Sequence, residues 1–142
     1  MPTTLEDKHA IEELISTYNQ SLDRGDYATW LGCWADDGVL DGLGRLLTGK
    51  PEIRAFADAY DANYRLRLHA LKHYTVNILS VIGGDGDRAT STSYLQLVNT
   101  AATGVRTIFT GHYEDDLTRV AGRWQFAIIS SPLRPSVAVT IS

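Results

Sequence analysis

Cysteine is almost missing: Cys33 stands alone among 142 residues, which excludes an intramolecular disulfide and a cysteine-based metal cluster. Within its apolar surroundings it reads as a small buried hydrophobe, not a nucleophile. No apolar run approaches the roughly 20 residues needed to cross a bilayer. The N-terminal MPTTLEDKHA has no basic stretch leading into an apolar one, so no signal peptide is expected. A basic stripe is lacking too. The net charge is −4 with both signs interspersed, which argues against a nucleic-acid partner. With 44% hydrophobic and 21% charged residues and no low-complexity tract, the expectation is a soluble cytoplasmic protein, with no membrane partner and one domain over 1–142.

Some apparent motifs fail on inspection. GRLLTGK (44–50) matches most of a phosphate loop, but Pro51 stands where a magnesium-binding hydroxyl and a backbone N–H are required. GGDGD (83–87) lacks the spacing and closing glutamate of a calcium loop and fits a hairpin turn instead. Asp36, Asp37 and Asp41, like Glu114, Asp115 and Asp116, have no paired histidines at ligand spacing, so no metal site is expected. Ser130 and Ser131 lack a nucleophile-elbow context, and His9 beside Lys8 reads as a surface residue.

What is present is a change of period. Residues 3–25 read as a helix, with Thr3 and Glu6 at capping-box spacing and Asp7 adding negative charge near its start. Ile11, Leu14, Ile15, Tyr18 and Leu22 form one stripe, and Gly25 is a stop. Asp26 caps a short second helix through Tyr27, Trp30, Leu31 and Trp34, which ADDG (35–38) ends. VLDGLGRLL holds one or two short strands, and Pro51 opens a third helix with Ile53, Phe56, Ala57 and Tyr60 on its apolar side. From residue 68 the period becomes two, over about 68–82, 88–101, 105–119 and 123–131, separated by turn sequences. Helices first and hairpin-linked strands afterwards imply an α+β fold with a largely antiparallel sheet. Helices cover only one side of it, so an apolar second side implies a homo-oligomer.

HALKHYTVNILSV (69–81) poses a question of faces. Strict alternation puts His69, Leu71, His73, Thr75, Asn77, Leu79 and Val81 on one side, and Ala70, Lys72, Tyr74, Val76, Ile78 and Ser80 on the other. Neither is a plain solvent face. In GHYEDDLTR the same rule sets Tyr113, Asp115 and Leu117 against His112, Glu114 and Asp116, and at least one set should be wet. Asp23 lies roughly 120° from the centre of the first helix's stripe, so helical geometry alone does not bury it.

DKHAIEELISTYNQSLDRGDYATWLGCWADDG, GKPEIRAF, LKHYTVN and GHYEDDLTRVAGRWQF, in that order, resemble the SnoaL-like proteins of the nuclear transport factor 2-like superfamily, over roughly residues 5–130. The branch most resembled contains scytalone dehydratase, bile-acid 7α-dehydratase and hexachlorocyclohexane dehydrochlorinase. The resemblance implies a cone-shaped α+β barrel, three helices on a curved, mostly antiparallel sheet. It further implies a helix aspartate and a strand histidine paired in the cone's cavity, which map to Asp23 and His73. By the same resemblance Tyr18 falls where the bile-acid enzyme has a catalytic tyrosine, and Asn77 matches a family asparagine. His112 is the one histidine in the region of a second cavity histidine, and Trp34, Leu71 and Tyr94 are expected to shape a substrate pocket. The side carrying Tyr74, Val76 and Ile78 would be covered by a neighbouring subunit, in a trimer by preference over a dimer.

Such a pair suits proton removal beside an electron-withdrawing group. A neutral imidazole acts as a base near neutral pH, and a carboxylate on its other nitrogen fixes the tautomer and stabilises the imidazolium. The expected function is cofactor-independent β-elimination of water or halide from a small, largely apolar organic substrate. The alternatives are an isomerase or cyclase of the same fold, and a non-catalytic module like the small subunits of ring-hydroxylating dioxygenases.

Overall fold

The computed structural model describes residues 4–42, 44–68, 70–101 and 104–131. Thr3, on which the capping box depends, and His69 lie outside them.

Helix α1 (Thr4–Arg24) buries Asp7, Ile11, Ile15, Tyr18, Asn19, Ser21 and Leu22 on one side. It ends in a Schellman motif: the Gly25 N–H donates to Leu22 O at 3.2 Å and the Asp26 N–H to Ser21 O at 2.8 Å. Gly25 is required there twice over. Its φ is +74°, and a Cβ would meet the Arg65 guanidinium at 2.7 Å. The short α2 (Tyr27–Gly32) is capped by Asp26, whose Oδ1 accepts from the Thr29 N–H at 3.2 Å. Trp34, expected on α2, instead opens β1 (Trp34–Gly42), which also absorbs ADDG; β2 (Arg45–Thr48) pairs with it antiparallel. The indole of Trp34 is fully buried against Phe126 and Trp30, and that packing outweighs continuation of a six-residue helix. α3 (Lys50–Tyr60) follows with Pro51 in its first turn, and widens over Asp61–Arg65 before a last helical turn at Leu66–Leu68.

β3 (Leu71–Ile82), β4 (Arg88–Asn99), β5 (Arg106–Val120) and β6 (Arg123–Ser131) form an antiparallel meander. The six-stranded order is β2-β1-β6-β5-β4-β3, and among the described residues β1 on β6 is the one parallel pairing. Ala121 and Gly122, both at positive φ, make the tight β5–β6 turn. The helices lie across one side of this sheet over a core of Trp30, Trp34, Phe126, Ile11, Ile53 and Leu117.

Asp7 does more than charge a helix start. Its side chain is 7% exposed; Oδ1 accepts from Arg119 Nη2 at 2.8 Å and from Trp124 Nε1 at 3.1 Å. The guanidinium lies 4.5 Å over the Trp124 ring and also donates to Gly86 O. α1 is thereby tied to the far hairpin. Removing one member of such a pair strands the other, so Asp7→Asn is expected to cost about 3 kcal/mol in urea denaturation. The Arg119 hydrogen bond holds the Asp7 carboxyl below its usual value. A depressed folded pKa gives stability that is present above the unfolded value, about 4, and is lost as pH falls below it. The difference between wild type and Asp7→Asn is expected to shrink on acidification through that window.

Candidate functional site

Spacing brings α1 and β3 into register. One helical turn of four residues rises about 6 Å and two strand residues about 6.8 Å. Asp23 therefore meets His73, and Asn19, one turn earlier, meets Thr75. The Asn19 amide donates to Thr75 Oγ1 at 2.8 Å. His73 Nδ1 lies 2.6 Å from Asp23 Oδ1, and the His73 backbone N–H donates to both carboxylate oxygens at 3.1 and 3.2 Å. β3 is an edge strand, so this N–H has no sheet partner and the carboxylate supplies one. Their side chains are 8% and 14% exposed. A carboxylate on Nδ1 selects the tautomer with the proton there and leaves the Nε2 lone pair open.

Tyr60 packs on the imidazole with ring centroids 5.9 Å apart, in a stacked column with Phe56 and Tyr64. Its buried hydroxyl has no partner among the described residues, and burial, then the Asp23 charge, pushes its pKa up. The widened turn after α3 is held by Asp61, which accepts from the Tyr27 hydroxyl at 2.7 Å and pairs with Arg65. Burial, then the Asp61 bond, pushes the Tyr27 phenol up to about 12.

One layer deeper, beside Asn19 and Thr75, is a gap of about 10 Å³, room for a single water. Tyr18 and Asn19 of α1, Ser93 of β4, and Tyr113 and Asp115 of β5 line it. Tyr18 is wedged among Trp30, Trp34 and Phe126, and burial, then Tyr113, pushes its phenol well up. Asp115 is 6% exposed; burial, then the Asp116 charge, pushes it up to about 8. On β5 it is thus the Tyr113, Asp115, Leu117 set that faces inward, while His112, Glu114 and Asp116 face out.

The structure brings Asp23 and His73 together, with Tyr18 a layer away; three expected lining residues go elsewhere. Tyr94 is 60% exposed on the outer side of the sheet, because its neighbours Ser93 and Leu95 take the inward positions. His112 lies opposite Tyr94 across the ladder and is therefore outside too, 3.7 Å from Glu114. Asn77 is exposed at φ +55°, in a bulge where the β3 register shifts between Val76 and Leu79. That extra residue swaps the faces. Beyond it Ile78 and Ile82 pack on the core and Ser80 is buried, whereas Leu79 and Val81 are exposed. Trp34 and Leu71 are core residues at 0% and 3% exposure. Asn19 and Asp115 were missed. Asn19 signals itself only by standing four residues before Asp23, and Asp115 by alternating with Tyr113 and Leu117. Among the described residues no three His, Cys, Asp or Glu side chains converge as a metal site, and no helix is long and apolar enough to cross a membrane.

A family model described as a SnoaL-like domain matches residues 3–129. A solved Nostoc punctiforme protein of unknown function with a cystatin-like fold is 28% identical, covering 97% of this chain and 98% of its own, at a TM-score of 0.80. A function-unknown Mycobacterium tuberculosis protein is also 28% identical with a TM-score of 0.80, over 94% of this chain and 78% of its own. A Novosphingobium aromaticivorans protein provisionally assigned as a scytalone dehydratase shares the fold at 17% identity and a TM-score of 0.78, over 97% of this chain and 91% of its own. No curated protein matches at the same stringency.

The bulge makes Asn77 a conformational residue. Asn77→Gly is expected to leave thermal stability unchanged or slightly raised, and Asn77→Ala to cost about 1 kcal/mol, because alanine resists a left-handed backbone.

Proposed function

The chain belongs to the SnoaL-like domain family, and on that premise we propose that it is a cofactor-independent lyase with His73 as general base. The supporting observation is the 2.6 Å contact between Asp23 Oδ1 and His73 Nδ1, which leaves Nε2 as the proton acceptor. Nε2 takes a proton from a carbon next to an electron-withdrawing group. The C–H electron pair becomes the new π bond, and hydroxide or halide leaves the neighbouring carbon with the electron pair of the bond that breaks. Asp23 stabilises the imidazolium formed, which returns its proton to a departing hydroxide. Tyr18, a layer deeper, supplies a hydroxyl for an oxygen of the substrate. Tyr60 packs on His73, Tyr64 of the widened turn 61–65 stacks on Tyr60, and a substrate enters by displacing these rings; such irregular helical turns recur at functional sites. The same base serves a proton shift or a cyclisation, and product analysis separates those outcomes from elimination.

With a panel of β-hydroxy and β-halo compounds, His73→Ala is expected to keep its far-UV circular dichroism and lose at least roughly two orders of magnitude in kcat/KM. Asp23→Asn is expected to fall by tenfold or more, since an amide presents the wrong partner to Nδ1. Turnover by His73→Ala at the wild-type rate would remove the base from the mechanism.

We also propose that the outer sheet side, where Tyr74, Val76, Leu79, Val81 and Tyr94 are 43–72% exposed, is covered by further copies of the chain in a trimer. Multi-angle light scattering is expected to give three times the chain mass, and one chain mass for Val76→Glu/Tyr94→Glu. Co-purification with a large iron–sulfur subunit would instead support the binding-module reading.

A further inference from the structure

Tyr60 is the last residue of α3 and its ring lies beside His73, yet little of its own holds it there. Its hydroxyl is buried without a hydrogen-bond partner among the described residues. Tyr64, stacked on it with centroids 5.9 Å apart, is 48% exposed, and no side chain of Asp61–Arg65 is buried. The inward position of Tyr60 is therefore fixed from the turn that follows it. Among the described residues, the polar tie from that turn to α2 runs through Asp61. Its Oδ1 accepts from the Tyr27 hydroxyl at 2.7 Å and, across the turn, from Arg65 Nε. The Arg65 guanidinium in its turn lies against Gly25, at the end of α1 that presents Asp23. One carboxylate thus joins α2, the end of α1 and the widened turn, at the residue next to Tyr60. The Asp61 and Arg65 side chains are 25% and 28% exposed, so water stands ready to replace either partner once the contact breaks.

We propose that Asp61 is a positioning residue: shared by Tyr27 and Arg65, its carboxylate latches the 61–65 turn so that Tyr60 stays on the His73 ring, and release of this latch is the opening step that admits a substrate. This deepens the lyase reading and rests on it. The closed turn leaves the Tyr60 hydroxyl buried and unpaired, a cost that opening relieves by returning the hydroxyl to water. Without the latch that balance tips toward the open form. With it, the imidazole is kept from bulk water between encounters, His73 being 8% exposed at its side chain. Opening needs no change in the core, because the turn packs chiefly on the helical segments before and after it.

Access is read without turnover, by the rate at which diethyl pyrocarbonate acylates His73. Peptide mass spectrometry follows the reaction, with the exposed His9 as internal reference. In the wild type His73 is expected to react well below the rate of His9. Asp61→Ala removes a hydrogen bond to a charged group and is expected to speed His73 by about tenfold or more, with His9 unchanged. Tyr27→Phe keeps one of the two donors and is expected to give a smaller rise. A latch frees the turn alone, so amide exchange along β5 should be as slow in both variants as in the wild type. Faster His73 labelling matched by faster exchange across β5 is general loosening and overturns the latch. So does His73 reacting as fast as His9 in the wild type, or as slowly in Asp61→Ala as in the wild type. Should Asp61→Ala fail to fold, Tyr27→Phe decides by the same comparison. Turnover retained by His73→Ala, or missing from every variant, bears on the base and leaves these labelling rates unaffected.

Discussion

The molecule turns on a carboxylate that serves two donors of one residue. Asp23 accepts from the backbone N–H and meets the ring nitrogen of His73, so it closes an open position on an edge strand and orients an imidazole at once. Its place follows from the helix end. The Schellman turn at Gly25 sets Asp23 in the last turn of α1, and Arg65, packed where a side chain at residue 25 would be, brings the widened turn after α3 against that end. Remove the pairing and β3 keeps only the Asn19–Thr75 hydrogen bond of the two reported side-chain ties to α1, while the ring loses its preferred tautomer.

The remaining polar interior is organised in layers along the same two elements. Asp23–His73 is uppermost, Asn19–Thr75 lies next, and the gap beside Tyr18, Tyr113 and Asp115 is deepest. Two buried aspartates show how context sets the charge. Asp7 has a guanidinium and an indole N–H and lies below its usual pKa; Asp115 has neither and lies above it. The first fastens α1 to the β5–β6 hairpin. The second leaves a buried carboxyl oxygen without a hydrogen-bond partner among the described residues.

Much of the fold was readable from local chemistry. The stripe of Ile11, Ile15, Tyr18 and Leu22, the stop at Gly25, the cap at Asp26 and the proline opening α3 all correspond to elements observed. Period-two segments found four strands to within a few residues. The order of helices before hairpins led to an α+β fold with helices on one side of the sheet. Of the residues expected around the site, Asp23 and His73 meet, and Tyr18 stands a layer below them. Tyr94 and His112 do not join them, because alternation assigns residues to two sides without saying which side the helices cover.

Periodicity and capping are properties of adjacent residues, so the chain by itself determined where helices and strands run and which side chains travel together. Which of two mixed strand faces becomes interior depends on what packs against it, and that is decided across 50 or more positions, as from Asp23 to His73. The bulge at Asn77 makes the point. A single left-handed residue reverses β3, burying Ile78 and exposing Leu79, and no alternation rule can foresee it. Likewise the burial of Asp7 and Asp115, and the opposite pKa shifts that follow, exist only once the sheet has closed under the helices.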